Sequence, residues 1–224
     1  MTTALPLDLF VKQPGLWLFD KFSSPQALSY LGKDLEAFLE QLLKELGVGD
    51  APVIKGKAHA ASYISGRVYI AEGASIEPTA MIQGPTVIGP NAEIRHGAYI
   101  RGNTFVGANA VVGHTTEVKG SVFFDHAKAG HFAYVGDSLL GYNVNLGAGT
   151  KLANLKLKGN EVSFKHPNTN EVVRSGLRKF SSILGDNAQT GCNSVLSPGT
   201  LLLPNTAVMP CTHFHGTLLR GFAR

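Results

Sequence analysis

ISGRVYIAEGASIEPTAMIQGPTVIGPNAEIRHGAYIRGNTFVGANAVVGHTTEV, residues 64–118, places Ile64, Ile70, Ile76, Ile82, Ile88, Ile94, Ile100, Val106, Val112 and Val118 at every sixth position without a gap. If about a quarter of residues are Ile, Val or Leu, ten consecutive hits arise by chance about once in a million registers, so the repeat is real. A period of six would smear these side chains around a helix of 3.6 residues per turn, which excludes an amphipathic helix. The period suits a solenoid. Each hexad supplies one short strand with its aliphatic residue pointing inward, and a small residue or glycine follows near the corner, as with Gly89, Gly107 and Gly113. Three hexads make one coil, and the expected fold class is an all-β solenoid.

Working outward, Phe124 holds the phase, a glycine and a histidine break it, and a shifted run resumes at Leu140, Leu146 and Leu152. The reading predicts an interruption of the coil near residues 125–137. Residues 155–178 leave the repeat; Leu155 to Phe164, the turn-like His166-Pro167-Asn168-Thr169-Asn170 and Glu171 to Val173 predict a protruding β-hairpin. Hexads return at Leu184, Leu196, Leu202 and Val208, with Thr190 breaking the aliphatic run. Upstream, Ser24-Pro25 reads as a helix N-cap and first turn, and Leu35, Phe38, Leu39, Leu42, Leu43 and Leu46 follow at helical spacing before Gly47. Residues 1–50 are thus expected to form a short helical segment that packs on the main body or covers an exposed end. Residues 51–224 form the solenoid domain.

The 44% hydrophobic and 16% charged residues of this 224-residue chain suffice for a packed core. Asp8, Lys12, Asp20 and Lys21 rule out a signal peptide in the first thirty residues, and no apolar run is long enough to span a membrane. A cytoplasmic location is expected, and Cys192 and Cys211 read as ordinary free thiols. A formal charge of +4, not gathered into a basic run, argues against nucleic acid and for an anionic small molecule.

Departures from a repeat are where function tends to concentrate, which directs attention to residues 101–179. Forming an amide from an ammonium group needs a base that works near pH 7, and histidine is the side chain suited to that task. His131 sits where the repeat breaks.

The segment Lys128-Ala129-Gly130-His131-Phe132-Ala133-Tyr134-Val135-Gly136-Asp137, with Tyr142-Asn143-Val144-Asn145-Leu146-Gly147-Ala148-Gly149-Thr150, resembles the acetyltransferase half of bifunctional N-acetylglucosamine-1-phosphate uridyltransferases. Thr150 to Leu155, the hairpin and Ser175 to Phe180 look closer to sugar-1-phosphate nucleotidyltransferases with an amino-sugar acetyltransferase tail. The resemblance to these hexapeptide-repeat acyltransferases covers roughly residues 64–210. It implies a left-handed parallel β-helix and a homotrimer, although the general rule for parallel crossovers favours the right hand. About fifty residues before the repeat are too few for a nucleotidyltransferase domain, so nucleotidyl transfer is not expected.

The resemblance implies acetylation of the amine of an amino-sugar 1-phosphate by acetyl-CoA, with His131 as general base and Asn154 beside the reacting amine. Arg101, Lys119 and Lys179 match its sugar-phosphate-binding cations, and Tyr134 and Asn145 supply the hydroxyl and amide that orient the sugar. Glu117 matches an acid that would orient the histidine ring. Coenzyme A would meet backbone groups near Ala148 and around Gly191. Asn143 reads as structural, because asparagine tolerates left-handed backbone at solenoid corners.

Two rivals stay open. A metalloenzyme of the γ-carbonic anhydrase kind, which takes three histidines from two adjacent subunits, would draw ligands from His126 and His131, five apart, with His96 or His114 as a third; Cys211-x-His213-x-His215 reads as a plain terminal segment. A non-catalytic solenoid would bind sugar nucleotides or scaffold a partner. The Lys-Ala-Gly-His-x-x-Tyr context favours acyl transfer, with no bound metal.

Overall fold

The computed structural model describes residues 5–224. It is a left-handed parallel β-helix. Three parallel sheets make its faces: a first of nine strands from Val53–Ile54 to Thr217–Leu218, a second of nine from Lys57–Ala58 to Phe222–Ala223, and a third of eight from Tyr63–Ser65 to His213–Phe214. The predicted hexad residues form the core. On the first face Ile70 pairs with Ile88 and Ile88 with Val106, and these inward side chains are fully buried. Burial of each such side chain contributes about 1.5–3 kcal/mol.

The phase shift resolves differently from the sequence reading. Val106 stacks on Phe123, not on Phe124, and Phe123 in turn on Leu140. The coil is not interrupted near 125–137; strands Lys128–His131 and Tyr134–Gly136 continue the second and third faces. The shift is one residue dropped at each of two corners, between Val118 and Phe123 and between Val135 and Leu140. Thr190 keeps the inward position opposite Leu146, its hydroxyl 2.8 Å from that of Thr150, so a paired polar contact replaces an aliphatic one.

The corner between the first and second faces is a ladder of left-handed asparagines: Asn91, Asn109, Asn143, Asn187 and Asn205 have φ between 54° and 61°. Asn143 donates to Asn187 at 3.0 Å and Asn187 to Asn205 at 3.2 Å, the structural role expected for Asn143. His126, with φ 63°, takes one rung of the same ladder.

The first face is apolar on its outside as well. Val87, Phe105, Val122, Leu139, Ile183 and Leu201, each next to an inward residue, are buried beneath the N-terminal segment and the hairpin. That segment therefore covers a side of the solenoid. Its helix α1 spans Gly32–Glu45; Ser24-Pro25 instead precedes a single 3-10 turn at Ala27–Tyr30, so the helix starts seven residues later than the sequence predicted. Phe22 fixes the packing, with ring centroids 5.1 Å from Phe105 and 4.9 Å from Phe124.

Two buried carboxylates of the solenoid pin the segment's backbone. Asp186 accepts the N–H groups of Lys12 at 2.7 Å and Gln13 at 3.0 Å, and Asp125 accepts that of Trp17 at 2.8 Å. The hairpin exists but is shorter than expected, with Ser163–Lys165 antiparallel to Val172–Arg174. Buried Val162 and Phe164 hold it to the outside of the first face, so it does not stand free.

Candidate active site

The corner between the second and third faces holds His131, the base that the sequence analysis singled out. His131 ends the strand Lys128–His131, Phe132 turns the chain with φ 36°, and Tyr134 opens the next strand. Ala129 and Val135, fully buried on either side, anchor the turn. His131 itself is exposed. It borders a groove of about 610 Å³ on the second face, whose lining also includes Lys128, Asn145, Ala148 and Cys192. The parallel register explains the grouping: Lys128 pairs with Asn145 one coil on, and Gly149 donates its N–H to the carbonyl of His131 at 3.0 Å. Three of the predicted residues, His131, Asn145 and Ala148, thus share one groove.

The other five lie on the third face and its far corner. Arg101 donates to Glu117 at 2.7 Å. Glu117 is therefore engaged with Arg101, and among the described residues no hydrogen bond joins it to His131. The carboxylate and desolvation set the Arg101 balance, and the hydrogen bond to Glu117 holds its guanidinium above the ordinary value. Tyr134 pairs in register with Glu117. Its phenol is pushed up mainly by burial and then by the charges of Asp137 and Glu117. Tyr134 and Asn154 converge over Gly136, where an added Cβ would lie 2.7 Å from the tyrosine oxygen and 2.8 Å from the asparagine amide nitrogen.

Asp137 is the residue that the sequence reading did not single out. Its buried carboxylate accepts the side-chain amide of Asn154 and lies 3.8 Å from the ammonium of Lys119. Lys179 acts on it through its charge. Burial lifts the Asp137 carboxyl above its ordinary value against these three partners. Its only sequence signal was its place at the end of the quoted motif. His131 and Tyr134, three residues apart, are separated by at most about 10 Å of chain.

His114 pairs with His131 in register, and the rings of His96 and His114 stack with centroids 4.1 Å apart. Glu77 accepts the N–H of His96 at 2.8 Å, the main cause of its lowered carboxyl value. His131 ends the strand Lys128–His131, whereas His126 lies at the corner two residues ahead of it and packs edge-on to Tyr142. Among the described residues no group of three or more His, Cys, Asp or Glu side chains is placed to hold a metal ion. No helix among them is long and apolar enough to cross a membrane.

A family model described as the GMPPB C-terminal domain matches residues 82–214, more than half of the chain and the stretch that holds all eight predicted site residues. The chain belongs to the GMPPB C-terminal domain family. The chain is also similar to individual curated proteins. The Bifunctional protein GlmU of Methanococcus aeolicus is 37% identical over 153 residues, 68% of this chain and 36% of that protein. The protein of the same name from Methanococcus maripaludis is 36% identical over 155 residues, 69% of this chain and 37% of its own length. A Bifunctional sugar-1-phosphate nucleotidylyltransferase/acetyltransferase of Sulfurisphaera tokodaii is 35% identical over 89 residues, 40% of this chain and 22% of the relative. The chain thus spans between about a fifth and two fifths of these curated relatives.

Proposed function

We propose that this chain is an acyltransferase that moves the acetyl group of acetyl-CoA to the amine of an amino-sugar 1-phosphate, glucosamine or galactosamine 1-phosphate, and works as a homotrimer. The observation that carries the reading is the placement of His131 on an open groove beside Asn145 and Ala148, with the Tyr134–Asn154–Asp137 cluster around the adjoining corner. Relatives whose names include acetyltransferase and sugar-1-phosphate chemistry support it.

In this reading the sugar ammonium first gives one proton to solvent, and the His131 imidazole takes a second from the amine as its nitrogen attacks the thioester carbonyl carbon. The carbon–sulfur bond breaks, coenzyme A leaves as its thiol with the proton that the imidazolium returns, and an amide remains. Tyr134 and Asn145 orient the sugar hydroxyls, and Asn154, fixed by Asp137, presents its carbonyl oxygen to the amine. Arg101, Lys119 and Lys179 neutralise the phosphate. The donor lies along the second face with its pantetheine amides near Ala148, where the small side chain leaves backbone groups accessible. An interface between copies closes the groove, whose second wall a neighbouring solenoid supplies.

The test is thiol release from acetyl-CoA with glucosamine 1-phosphate and galactosamine 1-phosphate, comparing the intact protein with His131→Ala. Removing a general base costs about 10²–10⁴ in rate. Because His131 is exposed, the variant keeps its fold. Turnover lost in a variant of unchanged melting temperature and mass supports the base role. No turnover by the intact protein with either sugar overturns the reading in favour of a binding module.

A further inference from the structure

At the far end of the third face, a cavity of about 520 Å³ opens where the solenoid corner meets the N-terminal segment. Four cations line it: Lys119 and Lys179 from the solenoid side, Arg178 beside them, and Lys33 from the first turn of α1. Lys33, Arg178 and Lys179 are exposed, so their charged ends are free to turn inward. Arg178 gives its Nε to the carbonyl of Gly159 at 3.1 Å, which leaves the rest of its guanidinium fork available.

The opposing charge is smaller. Asp34, Glu36 and Asp137 are the carboxylates of the lining, so the cavity carries one net positive charge. That balance suits a dianionic phosphate monoester. Two further features add to it. Helix α1 begins without a side-chain cap, and Gly32, Lys33 and Asp34 of its first turn line the cavity. Asn103, also in the lining, has its side-chain oxygen buried with no hydrogen-bond partner. Either end of that amide is a ready partner for a bound polar group, since the two ends are exchangeable by a flip.

Asp137 is the wall shared between this cavity and the Tyr134–Asn154 cluster. A sugar held over that cluster with its anomeric carbon toward Asp137 would direct its anomeric substituent into the cavity. We propose that the N-terminal segment completes the acceptor site: Lys33 and the first turn of α1, together with Arg178, hold the acceptor's phosphate monoester against Lys119 and Lys179. This rests on the amino-sugar 1-phosphate reading above. It gives the N-terminal segment a task in specificity besides covering the first face. It also makes Lys33 and Arg178 selectivity residues, which separate phosphorylated from free amino sugars.

The experiment uses the full chain, Lys33→Ala, Arg178→Ala, their double variant and Lys33→Arg. Inorganic phosphate is titrated calorimetrically at low ionic strength, and thiol release is measured with glucosamine 1-phosphate and with glucosamine. Phosphate affinity is expected to fall about fivefold to tenfold in each Ala variant, further in the double variant, and to return with Lys33→Arg. The KM for the sugar phosphate rises in parallel while kcat and the KM for acetyl-CoA hold, and turnover of free glucosamine does not change. Phosphate affinity equal to that of the intact protein in all variants overturns the proposal. So does a matching rise in the KM for acetyl-CoA, which assigns the cations to the donor's phosphates. If the intact protein releases no thiol, the transferase reading fails, and the phosphate titration still decides whether the cavity is an anion site built by Lys33 and Arg178.

Discussion

Asn154 donates its side-chain amide to the buried carboxylate of Asp137, and this bond ties the loop that leaves the solenoid at residue 153 to the corner of the preceding coil. It fixes which way the Asn154 amide faces. With its NH₂ group committed to Asp137, the Asn154 carbonyl oxygen is the end left for a ligand, and an acceptor is what an ammonium or amine requires.

Asp137 has a cost that pH exposes. Burial is the main force that holds its carboxyl above the ordinary value, outweighing Asn154, Lys119 and Lys179. In the unfolded chain the group releases its proton near pH 3.9. As pH rises from there to the folded value, the unfolded chain has lost a proton that the folded chain still holds, and stability falls across that window. Asp137→Asn has no proton to lose, keeps an acceptor for Asn154 and suits the left-handed φ of 45° at this position. The variant is therefore expected to gain on the parent as pH rises, read as the difference in urea midpoints at pH 3.5 and pH 8. A parent that gains on the variant over the same interval would mean that the Lys119 and Lys179 charges outweigh burial.

The hexads made the solenoid legible because one buried aliphatic residue per strand is a constraint that every coil repeats. Phe123 and Phe124 show where that reading fails. Two adjacent aromatic residues offer the same hydrophobicity to either phase, and only the packing of Phe124 under Phe22 settles that Phe123 faces inward. The covering of the first face did have a signal. Tyr69, Val87, Phe105, Val122 and Leu139 double the aliphatic residue in successive coils of that face, whereas the neighbouring faces mix Val111, Met81 and Tyr99 with Glu93, Lys128 and Glu117 at the equivalent places. His131 was visible through its motif. Asp137 was not, because a carboxylate at a solenoid corner looks solvated until the chain that buries it, here the loop from Asn154 to Phe180, is in place.

Asp186 ties the N-terminal segment to the solenoid through the segment's backbone. Its two oxygens accept three backbone N–H groups, from Lys12, Gln13 and, at 2.8 Å, Tyr142. Asp186→Ala leaves these donors without their acceptor, and each hydrogen bond to a charged group contributes about 1.5–3 kcal/mol. Because water reaches part of the exposed segment, the expected loss is about 2–4 kcal/mol. Limited proteolysis is expected to cut first around Lys12 in the variant. A urea midpoint unchanged from the parent would show that the aromatic cluster alone holds the segment.

The strand that bears His131 is held at close quarters by a glycine in the coil before it. A Cβ on Gly113 would lie 1.7 Å from the carbonyl oxygen of Gly130 and 2.5 Å from its Cα, both backbone atoms that cannot rotate away. Gly130 has nothing within 4 Å of its own Cβ position and no positive φ. The two glycines, neighbours across the ladder that pairs His114 with His131, therefore answer differently to the same added methyl group. Gly113→Ala forces the strands apart at the active corner and is expected to cost more than about 3 kcal/mol and to displace His131. Gly130→Ala is expected to stay within about 0.5 kcal/mol of the parent. Thermal unfolding of the two variants side by side checks the pair, with thiol release as the second readout. Equal melting temperatures would mean that the corner relaxes freely, and the tight spacing would then not be what positions His131.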